Sequence, residues 1–190
     1  SPSMDILVSS NLERQLFELT GRDGGAISQW MADLNGSRRF QVDKDTFARL
    51  RETFRADAIT NAECLETIKR VFSEQGYLMD PHTAVAFAAA ENLKGINPVL
   101  VASTAHWAKF GDNVYRALHG IAPGEALPPE AAGLTGCQLN RLIAEETGKH
   151  DIPAGLAGLD DAEARFTTVL DADEPATEKA VEAFISTQNG

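Results

Sequence analysis

The segment "PVLVA", residues 98–102, is the feature that most constrains the fold of this chain. Five consecutive apolar positions, rich in β-branched residues and closed by a Ser-Thr pair, read as a buried strand. A buried strand cannot satisfy its own N–H and C=O groups, so it demands neighbours in a sheet. The rest of the chain offers few. Only "RRFQV" (38–42), "RADAI" (55–59) and "YLM" (77–79) read as extended, and all three are short. About eight other segments carry helical signals. The expected fold is therefore α/β and helix-rich, with 98–103 as the one strong strand of an incomplete sheet.

The helices are well punctuated. Asn11 is placed to cap "LERQLFEL", with Leu12, Leu16 and Leu19 on one face and Gly21 as the stop. "AISQWMADL" should end at Asn35-Gly36. Asp43 or Asp45 precedes "TFARLRETF", where Phe47, Leu50 and Phe54 recur at helical spacing. Thr60 and Glu63 have capping-box spacing ahead of a stripe of Leu65, Ile68 and Phe72, and Gly76 closes that helix. Asp80 reads as an N-cap with Pro81 in the first helical position, opening "PHTAVAFAAAENLK". Further helices are expected over "GDNVYRALH", "QLNRLIAEET", "DAEARFTTVL" and "EPATEKAVEAFISTQ". From Ile121 prolines and glycines multiply, which marks a boundary between 1–120 and a helical extension, 121–190.

Charge and cysteine count narrow the partners. The 190 residues carry a formal net charge of −11, which repels phosphate backbones and anionic lipid, so neither nucleic acid nor a membrane is an expected partner. No apolar run reaches the roughly 18 residues of a membrane span. Cys64 and Cys137 stand far apart, giving no disulfide framework and no CxxC metal site, and a cytoplasmic setting is expected. The chain opens on Ser with Met4 already inside a motif-like segment, which reads as a piece of something longer.

The strand runs into "STAHWAKF", 103–110. Strand ends of this kind are where α/β proteins place chemistry. His106 could serve as a general base, Lys109 as a Schiff-base amine and Thr104 as a ligand contact. Each also has an ordinary reading: a hydroxyl capping the next helix, a structural imidazole, a surface lysine. "DPHTAVA" presents a helix N-terminus suited to an anion, unless Asp80 already satisfies it as a cap. His82 and His106 lack metal-ligand spacing, and no metal site is expected. Asp160, Asp161 and Glu163 read as a solvated helix start. No GxGxxG or GxxxxGK loop is present.

Three segments acquire a joint meaning from their order and spacing: "SPSMDILVSSNLERQLFEL" (1–19), "GYLMDPHTAVAFAAA" (76–90) and "VASTAHWAKF" (101–110). Together they resemble the C-terminal part of the threonine synthase family, fold-type II pyridoxal-phosphate enzymes that make threonine from O-phosphohomoserine. The resemblance covers about residues 1–120. It implies that Thr104 faces the pyridine nitrogen of pyridoxal phosphate, where a neutral hydroxyl tempers the ring as an electron sink. It also implies that Asp80 and His106 lie close to the cofactor. The implied reaction removes protons from Cα and then Cβ, expels phosphate from Cγ and adds water at Cβ.

Two departures stand out. Trp107 occupies a position where the family usually has Pro. The family's Phe-Lys-Asp context for the Schiff-base lysine, and its Gly-Asn-x-Gly phosphate loop, occur nowhere in the chain. None of Lys44, Lys69, Lys94, Lys109, Lys149 and Lys179 matches that context. The resemblance therefore implies no catalytic lysine in this chain, a fragment that is inactive alone and does not hold the cofactor, and a partner in the missing N-terminal portion. Bare strand edges would invite self-association. A non-enzymatic, helix-rich binding or assembly domain, or another fold-type II amino-acid lyase, are the competing readings.

Overall fold

The computed structural model describes residues 9–93, 95, 98–149, 151–164 and 167–188. The segment 1–8, which opens the first motif, lies outside the described residues. By its contacts the chain divides into two compact units, Ser1–Ala157 and Gly158–Gly190. The change of composition at 120/121 falls inside the first.

In the first unit α1 (Ser10–Leu19) and α2 (Gly24–Ser37) share one small core, and α3 (Lys44–Thr53) packs against α1. Leu16, Ile27 and Trp30 are buried there, and Phe40 stacks on Trp30 with ring centroids 6.4 Å apart. The cap of α1 is Ser9, not Asn11: its hydroxyl accepts from Leu12 N. The second helix runs through Asn35-Gly36 and ends at Arg38, which takes the left-handed conformation with φ 62°. Asp43 caps α3, its Oδ1 accepting from Asp45 N and Thr46 N. The expected apolar face of α3 is not buried. Phe47 and Phe54 are each 50% exposed, and Thr46 takes the inward position instead. "RRFQV" is not a strand, because Phe40 and Val42 are spent on the Trp30 core.

The main core is built by α4 (Asn61–Gln75), α5 (Pro81–Glu91), α6 (Gly111–His119) and α7 (Gly136–Thr147). The Thr60–Glu63 capping box forms as read: Thr60 N donates to Glu63 Oε2, and Glu63 N donates to Thr60 Oγ1. Gly76 closes α4 in the left-handed region, where only glycine is unstrained. Ile68, Val71, Val114, Tyr115 and Ile143 are essentially inaccessible. Ala84 on α5 is fully buried, and so small a side chain lets the backbone of α5 come close to α4. A short α8 (Ala154–Ala157) follows α7 and lies against it.

Residues 98–103 correct the leading expectation. They form no strand, and no strand occurs among the described residues. Among the described residues no second segment pairs with them in a ladder, and their backbone stays irregular. Leu100 is 97% exposed. Among the described residues the regular structure is thus all helical, and no sheet forms.

In the second unit a single 3-10 turn, Leu159–Asp161, precedes α9 (Glu174–Gln188). The expected helix over "DAEARFTTVL" does not form at 162–164 or 167–170. The run Thr167-Thr168-Val169 is β-branched, which disfavours helix. Helix α9 leaves Val181, Phe184 and Ile185 more than half exposed.

Candidate functional site

Two of the quoted motifs meet at the start of α5. Asp80 is 1% exposed and satisfies the helix end itself: Oδ1 accepts from His82 N at 2.8 Å and from Thr83 N at 3.2 Å. Its Oδ2 accepts from the Thr83 hydroxyl at 2.5 Å. Thr83 Oγ1 also lies 3.0 Å from Ser103 Oγ. A hydroxyl has one proton, and a carboxylate can only accept. Thr83 therefore donates to Asp80, and Ser103 donates to Thr83. This relay ties the segment that carries Thr104 to the α5 N-terminus. Thr104 itself is exposed, next in the chain to the tethered Ser103.

The other end of the turn is anchored differently. His106 caps the 3-10 helix Trp107–Phe110, its Nδ1 accepting from Ala108 N at 3.2 Å. That assigns the proton to Nε2, which lies 3.4 Å from Asp151 Oδ2. The indole N–H of Trp107 donates to Asp151 Oδ1, also at 3.4 Å. Burial alone would raise the Asp151 carboxyl. Hydrogen bonds from its own backbone N–H, Trp107 and His106, with the attraction of His106, outweigh that and hold it below the ordinary range. Asn140 on α7 donates to Ala108 O at 2.7 Å. Gly111 is needed here, because a Cβ would meet Asn140 Oδ1 at 2.5 Å. Lys109 is exposed, its Nζ 5.9 Å from the Phe110 ring centre.

The structure thus brings Asp80 and the 103–104 segment together. It commits both nitrogens of His106, and the whole Asp80 carboxylate, to contacts within the chain. Thr83, Ser103, Asn140 and Asp151 were not singled out from sequence. Thr83 had a local signal, since Asp-x-x-Thr recurs at Asp43–Thr46 with the same hydroxyl-to-carboxylate bond. Asn140 and Asp151 reach their partners across 32 and 44 residues and had none. Cys64 sits beneath the site, its thiol donating to Pro81 O at 3.4 Å. Burial pushes that thiol up, and the Asp80 charge pushes it further.

Of the groups a pyridoxal-type cofactor would need, the residues here offer one, a hydroxyl for the ring nitrogen. An exposed neutral hydroxyl on a tethered backbone suits a ring nitrogen. The α5 N-terminus does not suit the cofactor's phosphate: its first N–H groups already donate to Asp80, whose charge repels an anion.

A groove of about 430 Å³ opens beside this site, between the outer face of α5 (Ala86, Ala89, Ala90) and Val99–Leu100–Val101. Small side chains on one wall and exposed apolar ones on the other leave a surface that water covers poorly.

Comparison with known proteins finds similarity to one family. The family model "Threonine synthase, C-terminal" matches residues 83–143, from the Thr83 relay to Ile143 on α7. Threonine synthase of Pseudomonas aeruginosa is 39% identical over 136 residues, which cover 70% of this chain and 29% of that protein. Human threonine synthase-like 1 is 40% identical over 119 residues, 62% of this chain and 16% of that one. The crystal structure of PLP-bound threonine synthase from Brucella melitensis superposes with a TM-score of 0.63 at 35% identity, covering 89% of this chain and 31% of that one. The chain spans less than a third of the length of each of these proteins. Family model, sequence relatives and solved structure agree that the chain is similar to the C-terminal part of threonine synthases.

Proposed function

We propose that this chain is the C-terminal part of a fold-type II, pyridoxal-phosphate-dependent threonine synthase, a lyase that converts O-phospho-L-homoserine and water to L-threonine and phosphate. The observation that carries the reading is the Ser103–Thr83–Asp80 relay, which ties the residue preceding Thr104 to the start of α5. When bound, the cofactor supplies an electron sink for carbanions at Cα and Cβ. Thr104 gives its ring nitrogen a neutral partner. A hydroxyl, unlike a carboxylate, does not hold a proton on that nitrogen. Asp80 and His106 act next to the cofactor by fixing the two ends of the Thr104 segment. The lysine that anchors the cofactor and the cradle for its phosphate belong to the missing N-terminal portion of the enzyme. The chain alone is then inactive and does not hold the cofactor. A cytoplasmic setting suits two buried free thiols, Cys64 and Cys137.

The groove against Val99–Leu100–Val101 is the surface on which that N-terminal portion seats. Residues 98–103 would gain their missing hydrogen-bond partners there. Without it the same surface drives self-association.

The test is Thr104→Val in the full-length enzyme. The substitution keeps the shape and removes one hydrogen bond to the ring nitrogen. A loss of about one to two orders of magnitude in kcat is expected, with the cofactor's absorption band shifted. Unchanged turnover and an unchanged spectrum would remove Thr104 from the site.

A further inference from the structure

The turn after Thr104 is held from outside the 1–120 segment. Three contacts converge on 106–108. Asp151 Oδ2 faces His106 Nε2, Asp151 Oδ1 accepts from Trp107 Nε1, and Asn140 Nδ2 donates to Ala108 O. Asn140 is 4% exposed, and its Oδ1 has no hydrogen-bond partner. A buried amide that leaves one acceptor unsatisfied is costly, so its geometry is dictated by the bond it does make. Gly111 makes room for that amide. Trp107 is 3% exposed, so its indole is locked in the core and only its N–H reaches Asp151.

We propose that Asp151 and Asn140 are positioning residues for Thr104: a two-point clamp from α7 and the segment after it that sets where the 104–108 turn presents its hydroxyl. The inference rests on the role given to Thr104 above. It assigns part of the active-site geometry to residues beyond 120, where the motifs gave no sign of it. Ser103 is held by Thr83 and Asp80, and 106–108 is held by Asp151 and Asn140. The backbone of Thr104 thus lies between two held points, Ser103 on one side and 106–108 on the other.

Asp151 is the better probe, because its side chain is 68% exposed and its loss leaves the core intact. The first readout uses the 190-residue chain and no cofactor. In Asp151→Ala, amide hydrogen exchange over 104–108 should accelerate about tenfold while α6 and α7 keep their protection. Asp151→Asn retains one acceptor oxygen and should give an intermediate rate. Unchanged exchange at 104–108 in the Ala variant overturns the clamp. The second readout uses the full-length enzyme. Asp151→Ala should lower kcat about tenfold with KM held within about twofold, and adding it to Thr104→Val should cost nothing more, because it acts through Thr104. Unchanged kcat, or fully additive losses, overturns the positioning role. An effect of Asp151→Ala on exchange with no effect of Thr104→Val on kcat would instead leave the clamp standing and take down the cofactor reading.

Discussion

Replacing Asp80 by Ala and by Asn separates what its charge contributes from what its oxygens contribute. In the native chain the carboxylate accepts from His82 N, Thr83 N and the Thr83 hydroxyl, at 1% exposure. Asp80→Ala removes all three acceptors. Loss of the cap costs about 1–2 kcal/mol. Loss of the negative charge at the helix N-terminus adds about 0.5–1 kcal/mol. Thr83 can then turn its proton to Ser103, which limits further loss. Together the two amount to about 1.5–3 kcal/mol. Asp80→Asn behaves differently. Its carbonyl oxygen still accepts from the two N–H groups, and its NH₂ can donate to Thr83 Oγ1, whose proton then passes to Ser103. The relay reverses and survives, and only the charge is lost, about 0.5–1 kcal/mol. Urea unfolding followed by far-UV circular dichroism measures both. Equal costs for the two variants, or less than about 0.5 kcal/mol for Ala, would refute the relay as the element that fixes this helix start.

Other outcomes follow from the same geometry. Gly111→Ala drives a Cβ to 2.5 Å from Asn140 Oδ1 and should destabilise by roughly 1–3 kcal/mol in the same unfolding assay, whereas a cost within about 0.5 kcal/mol would show that Asn140 yields freely. Tyr115 is fully buried and its hydroxyl has no partner, so Tyr115→Phe should be neutral or stabilising by about 1 kcal/mol in thermal unfolding. Burial, reinforced by Glu146 and Glu130, raises the Tyr115 pKa, so its contribution is fully present below the ordinary tyrosine value near 10 and is lost as pH rises through the raised value. Burial acts on Cys64 in the same direction from near 9. A melting series should therefore fall on the alkaline side, and Tyr115→Phe should flatten its upper part. Glu63 and Asp43 are lowered by hydrogen bonds, to Thr60 and Thr46 respectively, so their contributions are present above the ordinary carboxylate range and lost as pH falls through the depressed values. Light scattering of the isolated chain should show dimers or larger species that Leu100→Asp disperses, and a clean monomer at high concentration would contradict the role given to the exposed 98–103 face.

Local chemistry carried most of the helix ends. Thr60 with Glu63, and Asp80 with Pro81, need only neighbours three residues away, so the sequence declares them. Core placement was less legible. Phe47 and Phe54 have helical spacing, but spacing marks a face without saying that anything covers it, and Thr46 went inward because Asp43 holds its hydroxyl. Residues 98–103 show the same limit more sharply. Apolar β-branched residues state a preference for a strand, and a strand exists only when another lies beside it. At the site, Thr104 and Asp80 were visible as motif residues. The partners that hold them, Ser103, Asn140 and Asp151, depend on contacts between distant segments that no local pattern encodes.

The most direct test of the central claim, that this chain forms one wall of a site whose anchor lies elsewhere, uses the 190 residues alone. The chain is mixed with pyridoxal phosphate, reduced with borohydride and mapped for modified lysines. In the role proposed for it, Thr104 would offer one hydrogen bond worth about 1 kcal/mol, against the roughly 8 kcal/mol that micromolar binding requires. The net charge of −11 opposes loose phosphate binding. The account predicts only sparse labelling, spread over several lysines. Stoichiometric modification of a single lysine, Lys109 above all, would contradict it.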